Sequence, residues 1–314
     1  LRISKKKSRS LRKVLSVLFA TICLYFSFNQ IELDKVISLL LSANIQSILI
    51  AIIITYTSFY LRSFRWKILV ESPKKIKLKH YISTTHIGYF FNNIAPLRAG
   101  DLIRAKLLSN YTKTGFSFLF GSLVAEKIID LWIIGLFSLI LILLGYFSML
   151  GLEFSFLILI LYIITSLIIF GNNSIINNFQ SRFSKLENFV NGYKLLSKNK
   201  IQLFSLSICL WLCFIVYVFF VLQSIGISLS LEQYIGLTII SSLVTSLPFA
   251  PAAIGTYHLA VIYCLELYGI DIESAQSAAI LMHTLFVLYT IISGYIYLSL
   301  ENLNFKTIIN ESKN

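Results

Sequence analysis

Acidic residues are scarce in this chain, with 14 Asp and Glu against 27 Lys and Arg over 314 residues. Charged residues of both signs make up only 13%, while 57% of the residues are hydrophobic. Mean hydropathy is +0.79, and so little polar surface cannot cover a soluble globule. Catalytic motifs are missing as well: there is no Gly-rich phosphate loop, no His-Glu-x-x-His zinc pattern and no Gly-x-Ser-x-Gly elbow. The acids are scattered, whereas a membrane phosphatase or glycosyltransferase needs clustered Asp or His, so no catalytic residue and no enzyme activity is assigned. No cofactor or metal is expected either. Cys23, Cys209, Cys213 and Cys264 all sit in apolar segments. Cys209 and Cys213 share a helix face without a second ligand pair, which suits packing better than a metal site. The formal net charge of +13 forms no basic stripe on a soluble domain, so nucleic acid is not an expected partner.

What is present is an alternation of apolar runs with connections of very unequal charge. One basic cluster holds Arg2, Lys5, Lys6, Lys7, Arg9, Arg12 and Lys13 with no acid, and residues 62–79 carry a second set of seven against Glu71 alone. The alternate connections hold Glu32, Asp34 and Lys35, then Glu153, then Glu232, then Asp271 and Glu273. A single threading places all 27 Lys and Arg except Lys35 and Lys127 on one side. Short basic loops stay in the cytoplasm during insertion, so the pattern predicts a multi-pass inner (cytoplasmic) membrane protein with both termini inside. The charge also offers contacts for anionic lipid head groups.

Six apolar runs are read as spans: residues 14–28, 45–61, 116–146, 154–170, 203–222 and 278–298. The first follows the basic cluster without a small-x-small cleavage site, which predicts an uncleaved signal anchor. The second is expected to end at Arg62 and Arg65. Two further regions, 81–94 and 234–267, are interrupted by Pro96 and Gly100 and by Pro248, Pro251 and Gly255. Each is predicted as a re-entrant pair of short helices, because a broken backbone at membrane depth needs protein or water to satisfy it. Two ordinary short spans are the alternative for 234–267.

The expected fold is therefore all-α, with six transmembrane helices plus two re-entrant hairpins forming an inverted repeat. Residues 1–150 make the first copy and 151–300 the second, within one membrane domain over 1–314. Residues 172–200 are a cytoplasmic loop and 301–314 a cytoplasmic tail. Such repeats, with broken helices in matching positions, are typical of transporters with a site near the midplane.

The candidate substrate-binding residues cluster at these breaks. Asn93, Arg98, Asp101 and Arg104 surround the first, where a helix restarting near Asp101 would suit its carboxylate. Arg98 and Arg104 are candidates for holding a phosphate through planar guanidinium groups, with interface anchoring as the plainer role. Glu126 and Asp130 lie one turn apart on one helix face with Lys127 beside them. Charges inside a span mark function by default, and an ion pair with Arg98 or Arg104 would satisfy both sets. Pro248, Pro251, Gly255 and His258 mark the second break, where small residues and prolines free backbone groups to line a cavity. His283 is read as packing.

With these residues in hand, the chain resembles the lysylphosphatidylglycerol synthase transmembrane family, also called the flippase-like domain family. Leu61-Arg62-Ser63-Phe64-Arg65-Trp66-Lys67 looks like its Arg-x-x-Arg-Trp stretch. Residues 93–104 are similar to its Asn-x-x-Pro-x-Arg-x-Gly-Glu-x-x-Arg motif, and Glu126-Lys127-Ile128-Ile129-Asp130 stands in place of Glu-Arg-x-x-Asp. Residues 248–258 look like its Pro-x-Pro-Gly-Gly-x-Gly-x-x-Glu pattern. There Ala252 and Ala253 replace the glycine pair, Phe249-Ala250 lengthens the proline spacing, and His258 stands near the acidic position. The resemblance implies movement of a polar or anionic phospholipid, or of a polyprenyl-phosphate-linked substrate, across the membrane. The alternative it leaves is a non-transporting accessory that binds a lipid-linked sugar or a partner membrane enzyme. No soluble aminoacyl-transferase domain is expected after Leu300, and so no synthesis of lysyl-lipid by this stretch alone.

Overall fold

Long apolar runs become helices because in hydrocarbon a helix alone satisfies every backbone N–H and C=O within one segment. A computed structural model of the chain describes residues 18–29, 31–70, 76–94, 99–112, 114–146, 152–170, 187–194, 199–246, 251–304 and 308. Among these residues there is helix and no strand. The helices, numbered here in chain order, are α1 (Leu18–Phe28), α2 (Leu33–Leu41), α3 (Ile45–Val70), α4 (Leu78–Ile94), α5 (Gly100–Tyr111) and α6 (Phe116–Leu143). They continue as α7 (Leu152–Phe170), α8 (Glu187–Lys194), α9 (Lys200–Ser224), α10 (Leu231–Ser246), α11 (Thr256–Leu267) and α12 (Ile272–Leu300), with a short 3₁₀ turn at Pro251–Ala253 before α11.

Among the described residues three helices are long and apolar enough to cross a bilayer: α3 with 26 residues, α9 with 25 and α12 with 29. At a rise of about 1.5 Å per residue the shortest of them spans more than the roughly 30 Å hydrocarbon core. Helix α6 is as long at 28 residues, but Glu126, Lys127 and Asp130 interrupt its apolar character. Residues 81–94 lie within the single helix α4, with α5 beginning at Gly100, and residues 234–267 hold α10 to Ser246 and α11 from Thr256.

One expectation needs correction. The second apolar run does not end at Arg62 and Arg65, since α3 continues to Val70 and buries both arginines. A charged residue stops a span only when water is its sole partner, and here carboxylates from α6 replace water. The acidic connection after α1 contains a helix, α2. Its Val36 is buried while Leu33, Ile37 and Leu41, spaced four apart, form an exposed apolar stripe.

The chain gathers into two compact units. One comprises Leu1–Thr55, Tyr89–Gly100 and Ile215–Ile292, and the other Tyr56–Gly88, Asp101–Phe214 and Ser293–Asn314. In the second unit α8, drawn from the polar loop, lies against the start of α6 at a crossing only glycine permits. A Cβ on Gly121 would strike the Phe189 carbonyl, and one on Gly192 the Phe118 carbonyl. Trp132 of α6 packs edge-on against Phe204 of α9 and donates its indole N–H to Ser166 Oγ of α7 at 2.9 Å. In the first unit, Gln276 Nε2 on α12 donates to the Ser27 carbonyl of α1 at 2.9 Å, and Gly255 comes so close to α1 that a Cβ would meet the Ala20 carbonyl.

Candidate functional site

The densest chemistry in the second unit is a buried ionic cluster assembled from four helices. Helix periodicity sets its two halves: Arg62, Arg65 and Trp66 fall on one face of α3, and Glu126 and Asp130 on one face of α6. Arg65 grips Asp130 with two N–H groups, Nη1 to Oδ1 at 2.7 Å and Nη2 to Oδ2 at 3.3 Å. Its Nη1 also donates to Ser207 Oγ of α9 at 2.7 Å, and its Nε lies 3.5 Å from Glu126 Oε1. Arg62 Nη1 adds a second cation to Asp130, 3.4 Å from Oδ2. Arg104 of α5 donates from Nη1 to Glu126 Oε2 at 2.9 Å, and its guanidinium carbon sits 4.0 Å from the centre of the Trp66 ring.

Hydroxyls orient the cluster from outside. Ser207 donates to the Leu203 carbonyl at 2.7 Å, which turns its lone pair toward Arg65. Ser122 likewise donates to the Leu119 carbonyl at 2.6 Å and accepts the Trp66 indole N–H at 3.0 Å, fixing the ring that faces Arg104. Arg65 is 0% exposed, Glu126 1% and Arg104 2%. Among the described residues three guanidinium charges face two carboxylates, and Arg104 Nε and Nη2 make no hydrogen bond. Burying unpaired donors of a charged group is costly, and such donors are suited to an anion's oxygens.

The expected pairing of Glu126 with Arg104 is present, whereas Asp130 turns to Arg65 and Arg62 instead. Asp101 lies beside Lys127 at 3.9 Å, in a more exposed pair. Asn93 is in the first unit, where its Nδ2 donates to Thr290 Oγ1 at 2.6 Å. Arg98 and Pro248 lie outside the described residues, and for Pro251 only the backbone is described. Reasoning from sequence missed Arg62, Arg65, Trp66 and Ser207 as site residues. For the first three a signal existed, two arginines and a tryptophan at helical spacing directly after an apolar run; Ser207 had none.

The second break, in the first unit, is a tight backbone turn. Ala252 and Ala253 adopt positive φ of 50° and 57°, and Gly255 follows at 82°. His283 Nε2–H donates to the Ala252 carbonyl at 2.8 Å, tying the turn to α12. His258 meets His283 edge-on at 4.8 Å and Phe28 at 5.6 Å, while Tyr257 stacks on His283 at 4.8 Å. Among the described residues no three His, Cys, Asp or Glu side chains gather as a metal site. At the head of α12, outside the helix, the Ser274 N–H donates to Asp271 Oδ1 at 2.9 Å and holds that carboxyl below its ordinary range.

The chain is similar to known membrane proteins. UPF0104 membrane protein MJ1078 of Methanocaldococcus jannaschii is 28% identical over 237 residues, covering 72% of this chain and 98% of that protein. UPF0104 membrane protein MJ1595 of the same organism is 25% identical over 299 residues, covering 85% and 88%. Glycosyltransferase AglD of Haloferax volcanii is 23% identical over 363 residues, covering 99% of this chain but 58% of AglD. The family model described as Lysylphosphatidylglycerol synthase TM region matches residues 13–294, and the chain belongs to that membrane-protein family.

Proposed function

We propose that this protein carries a phosphate-bearing lipid, either an anionic phospholipid or a polyprenyl-phosphate-linked sugar, across the cytoplasmic membrane without making or breaking covalent bonds. The observation that carries this reading is the buried Arg104 guanidinium, whose Nε and Nη2 have no hydrogen-bond partner. A phosphate would accept those donors, while the lipid tails stay in hydrocarbon. Arg104 is enclosed in the conformation described here, so the head group reaches it in a second state of the cycle, as alternating access requires. Glu126 holds Arg104 in place, and Asp130 holds Arg65 and Arg62. Six spans and two re-entrant hairpins in an inverted repeat, both termini cytoplasmic, give the breaks opposite entry faces.

The test is reconstitution of the purified protein in vesicles with fluorescent phosphatidylglycerol, aminoacylated phosphatidylglycerol and a polyprenyl-phosphate sugar. Movement of at least one of these, reduced by Arg104→Lys in correctly folded protein, supports carriage. The match to a portion of a relative named as a glycosyltransferase favours one second reading, an accessory that binds a lipid-linked sugar for a partner enzyme. Binding of these lipids without movement would select it.

A further inference from the structure

Two of the chain's four histidines, His258 and His283, lie in apolar sequence and meet beside the second break, at a ring separation of 4.8 Å. Each is more than nine-tenths buried. Their surroundings are specific. His283 Nε2–H is committed to the Ala252 carbonyl, and the Tyr257 ring covers its face. His258 is packed against Phe28 of α1, and its Nδ1 is buried with no hydrogen-bond partner. The other titratable groups nearby are neutral ones: Tyr257 on α11, Tyr217 on α9, whose hydroxyl donates to the Met282 carbonyl at 2.6 Å, and Cys23 of α1 beside Gly255. Among the described residues no Lys, Arg, Asp or Glu contacts either imidazole.

That arrangement constrains what the break can accept. An anionic phosphate brought here finds the unused His258 Nδ1 but no fixed counter-charge, and an uncompensated buried charge is not tolerated. A proton from water supplies the missing charge. We propose that His258 and His283 take up one proton as the phosphate of an anionic lipid reaches the second break, His258 Nδ1–H donating to a phosphate oxygen and His283 carrying the charge. The seat on His283 is prepared: its Nε2–H already points at a carbonyl, its Nδ1 receives the proton, and an aromatic face lies against the ring. Two imidazolium rings this close repel one another, so the pair holds one proton and not two. Linkage then requires that the lipid bind more tightly as pH falls, by about tenfold per pH unit for one proton taken up.

This inference rests on the carrier reading, and calorimetry on the full chain in nanodiscs separates the two. Dihexanoyl-phosphatidylglycerol, inorganic phosphate and dihexanoyl-phosphatidylcholine are titrated at pH 6, 7 and 8 in buffers of different ionisation enthalpy. The expected result is phosphatidylglycerol binding that strengthens toward pH 6 with close to one proton taken up per lipid, and no such uptake with the zwitterionic lipid. The same linkage with inorganic phosphate assigns recognition to the phosphate alone; linkage only with the lipid adds its glycerol or tails. His283→Asn and His258→Asn, each checked for an unchanged melting profile, are expected to abolish the uptake. Binding without proton uptake in the unsubstituted protein overturns the inference and leaves the carrier reading standing, whereas no phosphatidylglycerol binding at any pH overturns both. Uptake that persists in both variants places the proton elsewhere and also overturns it.

Discussion

Asp130→Asn is the sharpest probe of the ionic cluster, because it removes one charge while keeping the side chain's shape. Asp130 accepts two N–H groups from Arg65 and lies 3.4 Å from Arg62. Among the described residues the substitution leaves three guanidinium groups facing Glu126, raising the positive excess there from one charge to two. Charges about 4 Å apart interact with roughly 4 kcal/mol at an effective dielectric constant near 20. Removing one partner of a buried pair costs about 3–5 kcal/mol, and the estimates agree. Unfolding of the purified protein in mixed micelles, titrated with SDS, reads this loss directly. Arg65→Gln removes the opposite charge and is also destabilising, but Asp130→Asn with Arg65→Gln restores the original excess of one. The double variant is therefore expected to lose at least 2 kcal/mol less than the sum of the singles, order-of-magnitude, as coupled neighbours do. If Asp130→Asn costs under about 1 kcal/mol, or the two changes add, the cluster is not the tightly coupled buried network its geometry describes.

Arg104→Lys keeps charge but loses the planar group that donates to Glu126 and covers Trp66; lipid movement in vesicles is expected to fall at least tenfold with folding intact. Ala252→Gly removes the left-handed strain of an alanine at φ 50° and is expected to stabilise by about 0.5–1 kcal/mol, whereas Gly255→Ala collides with the Ala20 carbonyl and is expected to destabilise, both read by thermal melts. Asp271 caps α12 with its carboxyl held low in pKa, so its contribution is complete above the unfolded value near 3.9 and disappears as pH falls through the lower folded value. Asp271→Ala is thus expected to cost about 1 kcal/mol at neutral pH and progressively less below about pH 4. Single cysteines at Ser228 and Asp271 are expected to react with an impermeant external reagent, and those at Ser72 and Lys198 only after permeabilisation; external reaction of either of the latter two refutes the topology.

Much of this molecule was written in the order of its residues. Apolar runs separated by basic and acidic connections determine helices and a membrane setting, because desolvated backbone has no other way to satisfy itself. The ends of α4 and α10 fall shortly before Pro96 and Pro248, and the turn at Pro251 and Gly255 precedes α11, positions where proline and glycine disfavour helix. The pair Glu126 with Arg104 was within reach too, since 22 residues separate them and each stands out against apolar neighbours. Tertiary structure decided the rest. Arg65 sits beyond an apolar run and reads as a boundary charge, until Asp130, 65 residues later, and Ser207, 142 residues later, close around it. Periodicity tells which residues share a face of one helix, but not which helix that face will meet. The left-handed alanines at 252 and 253 are likewise a product of tertiary contact: alanine disfavours that conformation, and it persists where the Ala252 carbonyl is held by His283 and Gly255 lies close against α1.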